Sequence, residues 1–127
     1  MNNSAGMVLD HGQLDRLAVE LNSRTHAESF VDRFLANLPD RLARIQRSLL
    51  AEQTESALVA VLSIATSAAM AGAIQLERRS RSIERSIRAG DLAAAQDAAL
   101  GLDTNASEFA RQMGALLNIT APVLPDR

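Results

Sequence analysis

Residues 56–76, SALVAVLSIATSAAMAGAIQL, carry no charge and lie between Glu55 and Glu77, whereas charges are evenly scattered elsewhere. Wound as a helix, this run places Ala57, Val61, Ile64 and Ala68 at spacings of four, three and four, which makes one apolar stripe. Leu58, Leu62, Ala65 and Ala69 make a second stripe beside it. A bundle core takes up one face of a helix. A helix that is apolar over more than that face is central, in a membrane, or covered by a partner.

The run is long enough to span a bilayer. It is diluted, however, by Ser56, Ser63, Thr66, Ser67, Gly72 and Gln75, and the chain has no Trp or Tyr to form interfacial belts. The segments on either side read as amphipathic helices that need a partner with an apolar face. The run is therefore expected to be a buried bundle helix, with no membrane as partner.

The rest of the chain supports that reading. At 127 residues it is long enough for one domain with a real core. Its only aromatics are Phe30, Phe34 and Phe109, and no alternating strand pattern appears. All 13 basic residues are Arg, so lysine chemistry is excluded, and the absence of Cys excludes disulfides, thiol nucleophiles and cysteine metal sites. A net charge of −2 gives no argument for nucleic acid as a partner. The start, MNNSAGMV, lacks a basic segment followed by an apolar run, so a cytoplasmic location is expected.

Taken in order, residues 1–8 read as a tail, 9–120 as one helical domain and 121–127 as a second tail. Asp10 and Gln13 form a capping box, and Leu9 and Leu14 form a staple for a short first helix with Leu14, Leu17 and Leu21 inward. Thr25 to Glu28 is a second capping box. The helix it opens is read as one bent helix, kinked at Pro39, with Val31, Leu35, Leu38, Leu42, Ile45 and Leu49 in phase, and Arg33, Arg44 and Arg47 outward. Thr54 is the expected cap of the central helix, and Gly72 marks its end. A fourth helix over 73–88 points Leu76, Ser80, Ile83 and Ile87 inward. Gly90 then suits an αL residue, and Asp91 suits an N-cap. The three-four spacing of Leu92, Ala95, Ala99, Leu102, Ala106, Phe109, Met113 and Leu116 predicts one long last helix, ended by Pro122 and Pro125. The expected fold is all-α: an antiparallel four-helix bundle with a short additional N-terminal helix.

Few residues could carry chemistry. His11 and His26 each fall at a helix start and share no spacing with a carboxylate cluster, so no metal site is expected. The acids are scattered over outward positions, and no phosphate loop or nucleophile elbow is present. Arg78, Arg81, Arg85 and Arg88 form a stripe, with Arg79 beside it. The stripe reads as a solvated face partly balanced by Glu77 and Glu84, or as a site for an anion or acidic partner.

Two segments point to a family. FLANLPDRLARIQRSLLAE in the second helix, and GAIQLERRSRSIERSIRAGDLAAA from Gly72 to Ala95, resemble the histidine-containing phosphotransfer (HPt) domains of bacterial phosphorelays. The likeness covers nearly the whole chain. That family's centre is a His-x-Leu-Lys-Gly-Ser motif with a Gly-Ala pair whose Gly lies ten residues after the His. Counted back from Gly72, Leu62 takes the histidine position, Ile64 the Leu, Ala65 the Lys, Thr66 the Gly and Ser67 the Ser. The packing residues match and the chemical ones do not, and no His follows His26.

The resemblance implies a degenerate HPt domain that is not an enzyme and needs no cofactor. In competent members the His projects from a face that docks a receiver domain. Here the implied partner-binding residues are Leu58, Leu62, Ala65, Thr66 and Ala69. The partner would be a response-regulator receiver domain, a histidine-kinase domain, or a second copy of the chain. The alternatives are phosphotransfer through His26, a homodimeric scaffold domain, an anion-binding module on the arginine stripe, or coverage of the second stripe by the first helix.

Overall fold

The computed structural model describes residues 7–120, with side chains through Leu117. Six helices follow one another: α1 (Gln13–Leu21), α2 (Arg24–Leu50), α3 (Thr54–Ala71), α4 (Ile74–Arg88), α5 (Leu92–Ala99) and α6 (Leu102–Thr120). The described residues are all-α, with one isolated antiparallel bridge between Leu9 and Ala73. Helix α3 packs against α2 and α4, α5 and α6 pack against α2 and α4, and α1 lies on α2 and α3. Tails were expected over 1–8 and 121–127. Residues 1–6 and 121–127, with Pro122 and Pro125, lie outside the described residues.

The N-terminal segment is tied down earlier than expected. The Val8 carbonyl accepts from the Ile74 amide at 2.9 Å, and the Asp10 amide donates to the Gly72 carbonyl at 2.9 Å. Val8 and Leu9 are buried, so Val8 belongs to the packed domain. Asp10 does not cap α1 directly. Its Oδ1 accepts from the Gly12 amide at 3.1 Å, and its carbonyl accepts from the Gln13 amide. The helix starts two residues later, with Gly12 at the cap position. Gln13 is thereby released from a capping box and donates through Nε2 to the Met70 carbonyl at 3.2 Å. Leu14 and Leu17 are buried as expected, but Leu21 is exposed, because α1 ends there as Asn22 turns left-handed at φ 54.

That turn also moves the next cap. Ser23 is the last extended residue, and its Oγ accepts from the His26 amide at 3.0 Å, so α2 begins at Arg24. Thr25 is therefore already inside the helix, and Glu28 pairs with Arg24 at 2.9 Å instead of closing a box. Helix α2 runs unbroken through Pro39, with Val31, Phe34, Leu38, Leu42, Ile45 and Leu49 buried. Thr54 is the first residue of α3 rather than its cap. That position falls to Gln53, which makes no side-chain cap bond.

Two glycines end helices in the left-handed region, Gly72 after α3 at φ 81 and Gly90 after α4 at φ 77. This conformation costs an L-residue about 1–2 kcal/mol. Asp91 then caps α5 by accepting from the Ala94 amide at 3.0 Å.

The expected single last helix is two. Tight turns bring the Leu100 amide to the Asp97 carbonyl and the Gly101 amide to the Ala98 carbonyl, each at 3.2 Å, and α6 restarts at Leu102. Two side chains from other helices meet the break: Gln46 of α2, whose Nε2 donates to the Ala99 carbonyl at 3.3 Å, and Arg79 of α4. Arg79 Nη1 donates to the Ala98 carbonyl at 3.0 Å and its Nε to Asn105 Oδ1, so the guanidinium lies against the break. Both halves still face one core, which is why the apolar phase runs across the break. Phe109 of α6 meets Phe34 of α2 edge to face at 6.0 Å, and Phe30 stacks on Phe34 at 6.5 Å. The chain's aromatics thus join these helices in one cluster.

Candidate functional site

Helix α3 decides where a site can be. By length and composition it could cross a membrane, yet Ala57, Ala60, Val61, Ile64, Ala65, Ala68 and Ala71 are buried against the other helices. Small side chains on this face let α2 and α4 approach closely and exclude water. The opposite face carries Val59, Ser63, Thr66 and Met70, all exposed, with Val59 at 60% and Met70 at 37%.

The second stripe is not a surface stripe. Ala65 is fully buried and cannot touch a partner. Leu58 is partly buried and packs on the core. Leu62 and Ala69 are half-buried at the edge, and only Thr66 of the expected binding residues is exposed. The reason is that α3 is clasped on two sides by α2 and α4, so its buried arc is wider than one stripe. The short first helix is not a lid over Leu62. It meets the end of α3, where Gln13 reaches Met70 and lies against Gly72.

The α2 flank of the exposed face is polar and cationic. Arg41 Nη2 donates to Ser63 Oγ at 2.6 Å and to Ser67 Oγ at 3.3 Å. Partial burial draws the Arg41 guanidinium below the ordinary arginine range, and it stays cationic. Arg41, Arg44, Val59, Ala60 and Ser63 line a shallow cleft there. The face therefore pairs an apolar ridge of Val59, Leu62 and Met70 with arginine donors along one edge.

Val59, Met70 and Arg41 were missed in the sequence. Val59, Ser63, Thr66 and Met70 recur at four-three-four spacing opposite the Ala57 stripe, which was the available signal. The residues of this ridge offer no imidazole and no carboxylate. His11 and His26 are exposed near the starts of α1 and α2. Among the described residues no three His, Cys, Asp or Glu side chains group as a metal cluster would require.

Two of the four stripe arginines, Arg81 and Arg88, form ion pairs with Glu77 and Glu84. Arg81 lies 3.8 Å from Glu77 and 3.7 Å from Glu84, and Arg88 bonds Glu84 at 3.0 Å. Arg78 and Arg85 are exposed.

The family model described as the Hpt domain matches residues 29–118. The match covers most of the chain and takes in the helices from α2 to α6, and the chain belongs to the Hpt domain family. Hpt domains are phosphotransfer carriers of phosphorelay signalling and interact with response regulators and histidine kinases. No curated protein and no solved structure matches the chain.

Proposed function

We propose that this Hpt domain is a cytoplasmic pseudo-phosphotransfer module: it binds a phosphorelay partner without carrying phosphate. The observation behind this reading is that the family span, 29–118, contains no histidine, since the chain's two lie at 11 and 26. Leucine has no nitrogen to accept a phosphoryl group, and Ala65, where the family has its Lys, is buried. The frame that would present the site is retained in α2, α3, α4 and the α5–α6 pair, an HPt-like four-helix arrangement preceded by α1.

The binding face is the ridge of Val59, Leu62, Thr66 and Met70 edged by Arg41 and Arg44. Burying one leucine-sized side chain at such a face contributes about 1.5–3 kcal/mol. The arginines suit a partner surface that carries carboxylates. The module would compete with, or scaffold, a phosphorelay.

The test mixes the protein with a panel of phosphorylated receiver domains and follows both binding and label. Saturable binding without label transfer is expected, weakened in Leu62→Glu and Val59→Glu. Acid-labile phosphate on this chain would overturn the reading. Its loss in His26→Gln would move the acceptor to α2.

A further inference from the structure

We propose that the groove between α2 and the α5–α6 pair docks an amphipathic helix of a partner protein, apolar at two anchors and basic between them. Two clefts make up the groove. One, of about 270 Å³, has Leu35 and Pro39 of α2 on one wall and Ala106, Ser107 and Ala110 of α6 on the other. The second, of about 260 Å³, lies between Leu49 and Leu50 at the end of α2 and Ala99 and Leu100 at the end of α5. Asp103 lines both, so the clefts are continuous. Leu50 and Leu100 are 76% and 77% exposed, the most exposed leucines among the described residues.

The shape selects a helix. From Leu35 to Leu50 the α2 wall is about 22 Å long, about four helical turns. Small side chains on the α6 wall let another backbone come close, and one turn beyond Ala110 a Cβ on Gly114 would meet nothing within 4 Å. Both walls are helices whose backbone groups bond internally, so they offer an extended segment no ladder. A helix satisfies its own backbone and needs only the side-chain contacts. The middles of the two clefts lie about ten residues apart along α2, which sets the anchors of the occupant about three turns apart.

The charge selects a basic occupant. Asp103 is exposed and forms no ion pair among the described residues. Asp32 and Asp97, one turn before Leu35 and Leu100, are exposed and equally unpaired. Arg47 sits among them, one turn before Leu50, and leaves the rim net negative. A carboxylate covered without a partner loses its hydration uncompensated, so the occupant brings a cation to Asp103. A second copy of this face would set like charges together, which disfavours the chain itself as occupant. The groove is separate from the α3 ridge and does not depend on the role proposed for it.

The probe is a synthetic helical peptide of about 18 residues, leucine on one face and lysine on the other, titrated into the 15N-labelled protein. Its counterpart with glutamate for lysine is the control. Saturable shifts of the Leu35, Leu100, Asp103 and Ala110 amides are expected, with those of Val59 and Thr66 unmoved. Ala110→Gln fills the first cleft at unchanged charge and is expected to weaken binding at least about tenfold. Asp103→Asn weakens it as well, whereas Glu20→Gln, which removes the same charge from the exposed face of α1, leaves it unchanged. Absence of saturation, equal loss in Glu20→Gln, or equal binding of the glutamate peptide overturns the proposal. So does a mass in light scattering that rises with concentration in wild type and not in Leu100→Gln, which would assign the groove to a second copy. Unchanged thermal unfolding of Ala110→Gln and Asp103→Asn keeps a loss of binding distinct from a loss of fold.

Discussion

The Arg79 guanidinium lies so close to Gly101 that a Cβ on Gly101 would come within 2.4 Å of Arg79 Cζ. This contact joins α4 to the break between α5 and α6, and glycine is what leaves room for it. Gly101→Ala pushes the guanidinium off the Ala98 carbonyl and Asn105. Losing hydrogen bonds of a charged group costs about 1.5–3 kcal/mol, and the lower unfolded-chain entropy of alanine returns about 0.4–1 kcal/mol. A net destabilisation of about 1 kcal/mol is expected in urea unfolding. In an Arg79→Gln background the same substitution becomes neutral or stabilising, and a double-mutant cycle reads the coupling. Equal effects in both backgrounds would show that Arg79 does not hold the break.

Gly72 and Gly90 share a left-handed backbone but not their surroundings. A Cβ at Gly72 would be 2.9 Å from Gln13 Cβ and 3.1 Å from the Asp10 carbonyl oxygen, whereas one at Gly90 meets nothing within 4 Å. Gly90→Ala should cost about 1–2 kcal/mol from backbone strain alone. Gly72→Ala adds overpacking of about 1–3 kcal/mol, because a backbone atom and a β-carbon cannot swing aside. Chemical denaturation that ranked the two equally would refute the close approach of α1 to the α3–α4 turn.

Along α3, adjacent stripes are predicted to respond differently. Leu62→Glu and Thr66→Glu stay folded, since both side chains reach solvent. Ala65→Leu, at a site with no exposed surface, loses about 1–3 kcal/mol through overpacking. Light scattering over a range of concentrations reads the mass of wild type and Leu62→Glu. A wild-type dimer that Leu62→Glu turns into a monomer would make the ridge a self-association surface. A monomer leaves it for another protein. An unfolded Leu62→Glu would place Leu62 in the core, against the structure.

Ser80 is an inward residue of α4 whose hydroxyl is buried and has no hydrogen-bond partner among the described residues. A buried unsatisfied hydroxyl costs about 1–3 kcal/mol, and alanine fills nearly the same volume with better helix propensity. Ser80→Ala is therefore expected to stabilise the protein by about 1 kcal/mol in urea unfolding. A loss of stability would mean that the hydroxyl finds a partner, such as a buried water.

Much of this protein follows from its sequence. Periodicity identified the inward faces of α2, α4 and α6, because a helix that must bury one side shows it every three or four residues. Gly72, Gly90 and Asp91 marked their turns, because few residues suit those backbone states or supply a cap. The order of the helix segments resembled the Hpt family, to which the chain belongs, and the missing histidine in that span is a fact of sequence. The tertiary structure decided what depends on distant neighbours. Ser23 rather than Thr25 caps α2, because Asn22 turns the chain there. Ala65 is buried, because helices close over α3 from two sides. The last helix is broken where two carbonyls that an unbroken helix would use, Ala98 and Ala99, accept instead from Arg79 and Gln46, side chains of other helices. Apolar spacing reports only which way a side chain points along its own helix; contacts from other helices decide whether that direction is covered.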